Sequence, residues 1–434
     1  MSESAFSLEK LSHEITDNAK IVSHYLDSQN LPQPSFRSDG PSTVLPKGSP
    51  QAIHEARENL ITASLEILQL AIGPSEFLPH LATGFQYISS LRWLCQYNIF
   101  RLVPLDASIS YADLATAAKL PEQRLKSIMR MAMTNFVFCE QADGKSVAHS
   151  ATSALLARNE DIHAYAAYMT SYSAPLALQM APAHKKWGAG TTRTYETAFN
   201  LSHNTDLTFF EYLSRNQDMM KDFAQYMRNV RSSESIDIKH LLSGYKWESL
   251  PIGSLVVDMG GSTGTSAIAL ANAYPYLTFT VQDLPENAEN GRQAAESLPA
   301  DIASRINFQA HDITIPQPLQ GANIYLLRMI LHDWPDHEAV QILKHIVRAM
   351  DSAKSRLLIM DTALPKSGSV PVSVERIVRA RDLTMMQAFN SKERDLEEWK
   401  ELFAAAAVGD VRLQLVNVVQ PFGSAMSVLE LALA

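Results

Sequence analysis

Residues 255–265, Leu-Val-Val-Asp-Met-Gly-Gly-Ser-Thr-Gly-Thr, restrict the fold more than any other stretch. Three apolar residues lead into Asp258, and the chain then passes through Gly260, Gly261, Ser262 and Gly264. A buried strand ending in a turn almost free of side chains is the reading. Ala267, Ile268, Leu270 and Ala271 follow at a spacing that suits a helix packed on a sheet. A strand, a glycine turn and a helix N-terminus let a ligand approach backbone amides closely, which is the basis of nucleotide-type cofactor sites. Tight packing alone can ask for the same glycines.

The next segment decides between these. Residues 277–284 are rich in β-branched and aromatic side chains and run into Gln282-Asp283-Leu284-Pro285. An acidic residue at the tip of the second strand, roughly 20 residues past the turn, is placed to accept hydrogen bonds from both ribose hydroxyls. The cofactor therefore contains a ribonucleoside. Asp258 just before the turn disfavours a pyrophosphate, and the glycine spacing is not Gly-x-Gly-x-x-Gly. Negative charge there suits a cationic cofactor bearing an ammonium and a sulfonium. The Asp-x-Gly-Gly-x-x-Gly pattern followed by Val-Gln-Asp-Leu-Pro resembles the class I S-adenosyl-L-methionine-dependent methyltransferases. Members usually carry a further glycine where Ser262 stands, a departure that bears on how closely the cofactor's amino-acid tail approaches.

The 434 residues, 46% hydrophobic, are enough for two domains and a large core. A net charge of −9 without a basic stripe argues against nucleic-acid binding. Residues 1–18 show no basic start followed by an apolar run, and no segment approaches the ~18 consecutive apolar residues of a membrane span, so a cytoplasmic protein is expected. Cys95 and Cys139 both sit among apolar neighbours and read as buried thiols, not a disulfide or metal site.

Three blocks follow from the patterning. Residues 1–51 comprise a helical pattern over 1–30 (Leu8, Leu11, Ile15, Ile21, Leu26) and a flexible linker over 31–51 with five prolines. Such a tethered helix suits packing on a partner subunit. Residues 52–235 are mostly helical. Within them, Ser110 reads as a helix cap, a second helix follows Pro121, and residues 136–148 form two strands around Ala142-Asp143-Gly144-Lys145, a winged-helix pattern. The would-be recognition helix carries Leu125, Ile128, Met129, Met131 and Met133, so homodimerisation is the expected use of this module, not DNA binding. Tyr165, Tyr168, Met169, Tyr172, Met180 and Trp187, continued by Phe199, Phe209, Phe210, Phe223 and Tyr226, read as the wall of an apolar cavity. Residues 236–434 alternate strand and helix, with strands at 255–259, 277–282, 306–309, 324–327 and 357–360 and a closing hairpin of 411–419 with 426–433. An α/β fold with a parallel Rossmann-like sheet follows, with ligands at the carboxyl ends of its strands.

Polar residues fall at those strand ends. Asp312 after the third strand suits either an adenine amine or a turn. The fourth strand delivers Arg328 and then His332, with Asp336 capping the next helix. An imidazole there titrates near neutrality and can take a proton from a phenol or enol. Asp361 at the end of the fifth strand and Glu393 before a later helix are both carboxylates, and either one can fix the imidazole tautomer.

Leu331-His332-Asp333-Trp334-Pro335-Asp336 and Ser391-Lys392-Glu393-Arg394, with the cofactor motif upstream, resemble the plant and fungal small-molecule O-methyltransferases of the caffeate type. The likeness runs from about residue 52 to the C-terminus, includes His149-Ser150-Ala151-Thr152-Ser153, and is nearest the fungal branch through Phe199-Asn200-Leu201-Ser202-His203-Asn204-Thr205-Asp206. It implies a Rossmann-like methyltransferase sheet with an N-terminal winged-helix-like dimerisation domain. S-adenosyl-L-methionine is the implied cofactor, held by Asp258, Gly260, Gly261, Gly264, Asp283, Leu284, Asp312, Ile313 and Arg328. It further implies His332 as general base flanked by Asp361 and Glu393, no metal, and an apolar hydroxylated aromatic or polyketide-type substrate. Arg328 stands where the family often has lysine. One rival keeps the fold: an O-methyltransferase-like pericyclase that retains the cofactor and steers cyclisation or dehydration of a polyketide-derived intermediate. His163 would serve either chemistry as a cavity donor or be an ordinary helix residue.

Overall fold

Apolar runs bounded by glycine and proline become buried strands, and helices laid over them account for most of the remaining chain. The computed structural model describes residues 7–434; the part of the expected first helix over residues 1–6 lies outside them. Two compact units interleave in sequence. One holds the described residues up to Leu178 with Leu213–Val230 and Val370–Arg376; the other holds Gln179–Tyr212, Arg231–Ser369 and Ile377–Ala434.

In the first unit, helix Leu8–Ser28 starts at Ser7, whose hydroxyl accepts from the Lys10 amide. It buries Val22 and Leu26 against Ala56 of helix Gln51–Gln96. The N-terminal helix is thus seated on its own chain. Residues 31–50, expected to be a flexible linker, are likewise laid against that unit: the Phe36 carbonyl accepts from the Ala151 amide at 3.0 Å, and the Phe36 ring stacks on Phe136 at 4.4 Å. Proline denies this segment a regular ladder but narrows its unfolded ensemble, so few contacts suffice to hold it. Helix Gln51–Gln96 breaks its helical geometry at Gly73, φ 65°, directly before Pro74.

Ser110 caps helix Tyr111–Ala118 as expected, accepting from the Asp113 amide at 3.0 Å. Helix Glu122–Met133 follows, burying Leu125 and Met129. Three short strands, β1 (Ile109–Ser110), β2 (Cys139–Glu140) and β3 (Ser146–Ala148), form an antiparallel sheet in the order β1-β3-β2. Cys139 on this edge strand is exposed, which corrects its reading as a core thiol; apolar sequence neighbours on a strand point to alternate faces and do not bury it. Cys95 is half-buried, and burial pushes its thiol up to about 12.

The second unit is built on a seven-stranded sheet. Its strands are β4 (Leu255–Met259), β5 (Thr278–Asp283), β6 (Ile306–Ala310), β7 (Ile324–Arg328) and β8 (Arg356–Asp361), followed by the short pair β9 (Ala363–Leu364) and β10 (Arg394–Asp395) outside the sheet, and the hairpin β11 (Leu413–Val419) and β12 (Ser427–Leu433). Sheet order is β11-β12-β8-β7-β4-β5-β6, parallel from β6 to β8 and antiparallel through the hairpin. The strand order reverses between β4 and β7, which leaves the crevice at their carboxyl ends as the place for a ligand. Val257, Met259, Leu327 and Ile359 share one core with Leu343 and Ile346 of helix Asp336–Ala349 and with Trp399 and Phe403. Strands covered on both faces explain why β4 and β7 read as nearly continuous apolar runs.

The aromatic stretch expected to wall one cavity is divided and packs largely on itself. Tyr168 stacks on Tyr226 at 4.5 Å in the first unit. In the second, Phe199 meets Phe209 at 5.0 Å and Phe209 meets Phe389 at 5.1 Å, with Phe199 and Phe209 buried. His163 lies edge-on to Phe100 at 6.0 Å in the first unit. Among the described residues no helix is long and apolar enough to cross a membrane, and no His, Cys, Asp and Glu group has metal-binding geometry.

Candidate active site

Every strand end that the sequence marked lies on one edge of the sheet. Asp258 of β4 is level with Val281 of β5 and Leu326 of β7, Asp283 with Ala310 of β6, and Arg328 with Met360 of β8. The chain leaves β4 through Gly260 (φ 70°) and Gly264 (φ 80°), conformations that favour glycine. A Cβ on Gly260 would stand 2.4 Å from Ile330 Cδ1, and one on Gly261 would stand 2.6 Å from Asp258 Oδ2. Part of the glycine requirement is thus set by the chain's own neighbours.

Asp258 is fully buried, and its Oδ2 has no hydrogen-bond partner among the described residues. Burial pushes its carboxyl up to about 7, against the pull of Arg328. Arg328 mirrors it: Nη2 donates to the Ile236 carbonyl at 2.6 Å, while the buried Nε is left without a partner among the described residues. One carboxylate oxygen and one guanidinium nitrogen left without partners on the same edge suit a zwitterion, the amino-acid end of the expected cofactor. Arg231, which the sequence did not single out, interacts electrostatically with Asp283 and Asp258.

Asp283 is already engaged on both oxygens. Oδ2 accepts from the Ser262 amide at 2.7 Å, and Oδ1 accepts from the Leu284 amide and from Asn287 Nδ2, each at 2.8 Å. These bonds fix its carboxylate plane while leaving lone pairs for further donors. Leu284 stands at the cap position of helix Pro285–Ala295 and is half exposed. Asp312 is exposed, and its Oδ1 accepts both the amide and the hydroxyl of Thr314, so it builds the turn that was one of its two readings. Ile313 packs its side chain against the main core.

His332 sits in a single turn, Leu331–Asp333, beyond β7. Its Nδ1 lies 3.0 Å from Glu393 Oε1 and 3.6 Å from Asp361 Oδ1, so of the two candidate carboxylates it is Glu393 that makes the hydrogen bond. Asp361, wholly buried, instead accepts the Leu331 amide through Oδ2 at 3.2 Å and holds the turn's backbone. A third carboxylate was missed: Asp333 Oδ1 is 3.6 Å from Nε2, the opposite nitrogen. Its signal was adjacency to the histidine within a quoted motif, but only the tight turn aims two consecutive side chains at one ring.

Burial alone favours a neutral His332, yet the joint field of Glu393, Asp361 and Asp333 outweighs it and raises the imidazole well above its ordinary value. Burial pushes Asp361 up to about 7 and Asp333 up to about 6. Glu393 stays below the usual carboxylate range, its burial overcome by the His332 charge and hydrogen bond.

Arg394 locks this arrangement from beneath. Entirely buried, it donates to the carbonyls of Leu331 and Trp334, each at 2.8 Å, and pairs with Asp336 at 2.9 Å. Asp336 is therefore a partner of Arg394 and the first residue of its helix, with Pro335 at the cap position; the expected capping role is corrected because its carboxylate is drawn to the guanidinium. The Ser391 hydroxyl donates to the same Trp334 carbonyl at 2.7 Å. Met329 (φ 57°) and Asn390 (φ 51°) take left-handed conformations just before the two segments that meet here. Such strain persists only where surrounding contacts over-determine it.

The O-methyltransferase domain model matches residues 183–408. A protein called O-methyltransferase pgmB, from Aspergillus terreus, is 64% identical over 428 residues, covering 98% of this chain and 96% of that protein. The chain belongs to the O-methyltransferase family. This O-methyltransferase uses the methyl donor of its family, S-adenosyl-L-methionine. Its fold is similar to that in the crystal structure of OxaC in complex with sinefungin and meleagrin (24% identity, TM-score 0.75, covering 98% of this chain and 99% of that one). It is also similar to the structure of LepI complexed with SAM (23% identity, TM-score 0.72, covering 98% and 100%). Residues 7–71 of the O-methyltransferase match a second model, the N-terminal domain of the trypacidin cluster transcriptional coactivator tpcD.

Proposed function

We propose that this O-methyltransferase methylates a phenolic or enolic hydroxyl of an apolar aromatic or polyketide-type metabolite, with His332 as general base. The observation that carries this reading is the 3.0 Å contact between His332 Nδ1 and Glu393. It holds the tautomer in which Nε2 is the basic nitrogen, while Asp361 fixes the backbone on which the ring stands. When bound, the cofactor supplies an electrophilic methyl group on a sulfonium. His332 Nε2 takes the hydroxyl proton, and Asp333 opposite it stabilises the imidazolium so formed. Asp258 and Arg328 hold the ammonium and carboxylate of the cofactor's tail, Asp283 takes its ribose hydroxyls, and Asp312, Leu284 and Ile313 border its adenine. Residues 236–434 carry this site in a cytoplasmic protein, a reading supported by two unpaired cysteines.

Mass spectrometry after incubation with S-adenosyl-L-methionine and a panel of phenolic and enolic polyketides tests the reading. A gain of one methyl with release of S-adenosylhomocysteine supports it. Bound cofactor that is never consumed, beside a substrate isomerised or dehydrated, would establish the pericyclase instead.

The carboxylates around His332 give the reaction a pH signature. They favour the imidazolium, so kcat/KM is expected to rise as pH increases through and above neutrality, following loss of that proton. Glu393→Gln removes one negative charge, which lowers the imidazole pKa, and the rising limb should move to lower pH while the maximal rate falls. An unmoved limb in the variant would show that another group controls the profile.

The homodimer belongs to this proposal as well. Leu68, Leu70, Phe77, Leu78, Leu81 and Phe85 leave a run of large apolar side chains exposed along helix Gln51–Gln96. Sedimentation of the wild-type chain as a dimer, and of a Leu78→Glu, Phe85→Glu double variant as a monomer, is the expected result; a monomeric wild type rejects it.

A further inference from the structure

Glu393 reaches His332 from a short segment, residues 390–394, whose members are anchored one by one. Helix Val372–Phe389 ends at Asn390, and the left-handed turn there sends the chain back toward β10. Asn390 Nδ2 donates to the carbonyls of Arg193 and Glu196 at 2.7 and 3.2 Å, the Ser391 hydroxyl to that of Trp334, and the Arg394 guanidinium to those of Leu331 and Trp334. These bonds set where the segment lies, but none of them is made by Glu393. Its own amide donates instead to Asp382 Oδ1 at 3.0 Å, 11 residues back in the helix.

A carboxylate in that place carries a cost. Burial and the charges of Glu393 and Glu398 raise Asp382 above its ordinary value, and the Glu393 amide and the Arg379 charge pull it back only in part. The contact offsets this by pairing an amide of a buried residue. We infer that Asp382 is a positioning residue for the reaction: by accepting the Glu393 amide it keeps the Glu393 carboxylate on His332 Nδ1. The inference rests on the pairing of His332 with Glu393 in the function proposed above. Held at amide and carboxylate together, Glu393 keeps Oε1 at 3.0 Å from the ring. A drift of about half an ångström would leave it no closer than Asp361, which at 3.6 Å makes no hydrogen bond to the ring.

The test reads the imidazole directly and needs no substrate. In full-length protein labelled at its 13 histidines, the His332 signal is assigned by its loss in His332→Gln and its titration is followed by NMR. Asp382→Leu stays close to the native shape but removes the acceptor, so the imidazolium loses part of its stabilisation and His332 should titrate at lower pH than in the wild type. Asp382→Asn keeps the oxygen and should restore the wild-type titration, since the charges acting on His332 itself are those of Glu393, Asp361 and Asp333. In a Glu393→Gln background Asp382→Leu should move the titration no further, because its effect passes through a carboxylate already removed. On the panel compound that the wild type methylates fastest, kcat should fall about 10-fold in the leucine variant at unchanged KM, less than the ~10²-fold cost of a full ångström of misplacement, and recover with asparagine. Asp382→Ala stands in if the leucine variant does not fold. A titration left in place by Asp382→Leu, shifted equally in the Glu393→Gln background, or not restored by asparagine overturns the inference. If Glu393→Gln itself leaves the titration unmoved, the pairing of His332 with Glu393 falls and this inference with it; if it moves the titration while Asp382→Leu does not, only the role of Asp382 falls.

Discussion

His332→Ala is expected to lower kcat by about 10²- to 10⁴-fold, the usual worth of a positioned general base, while S-adenosylhomocysteine affinity changes by less than about twofold. Two features of the site set this expectation. The ring's hydrogen bond is to Glu393, and none of the proposed cofactor contacts passes through it. Its loss also leaves Glu393, which is 2% exposed, and the fully buried Asp361 without the cation that offsets their burial. A fall in stability can therefore accompany the fall in rate, and Tm should be measured alongside. Single-turnover methylation with pre-bound cofactor separates the two. If the chemical step in the folded variant kept the wild-type rate, His332 would not be the base.

Arg394→Met should produce the largest loss of stability. The guanidinium is 0% exposed and carries hydrogen bonds to two carbonyls as well as its pair with Asp336. Bonds to a charged donor contribute about 1.5–3 kcal/mol each, and removing Arg394 leaves the inward-facing Leu331 carbonyl without that donor; a net loss of about 3 kcal/mol is expected after discounting the half-exposed Asp336. That corresponds to a fall in Tm on the order of 3–6 °C. The turn carrying His332 rests on those two carbonyls, so kcat should drop as well while cofactor affinity holds. Arg394→Lys should not rescue either effect, because an ammonium cannot span three acceptors held in the plane of a guanidinium. Calorimetry and steady-state kinetics on both variants check this, and a lysine variant with wild-type Tm would rule the brace out.

Much of the site was legible because strand ends are. An apolar run followed by a charged residue marks the place where a parallel strand reaches the edge of its sheet, and Asp258, Asp283, Arg328 and Asp361 all carried that mark. The order of the strands was not legible, nor was the choice between Asp361 and Glu393. That choice depends on about half an ångström, 3.0 against 3.6 Å, between groups 61 and 29 residues apart that no local pattern compares. Asp312 was left open for the same reason: turn and ligand use the same side chain, and only the Thr314 contacts show which use the chain itself makes of it. Cys139 and the segment over 31–50 were misjudged because composition describes neighbours in sequence, whereas burial and order are set by neighbours in space.

The sequence by itself determined the class of the fold and marked the glycine turn and His332 as candidates, since each rests on periodicity or on residue chemistry within a dozen positions. Tertiary structure alone decided which carboxylate holds the imidazole, that Asp333 is a third charge on the ring, and that Arg394 ties the two motifs together. Those facts depend on distances between segments far apart in the chain. Coulombic and hydrogen-bond energies fall off over a few ångströms, so only the folded chain fixes them.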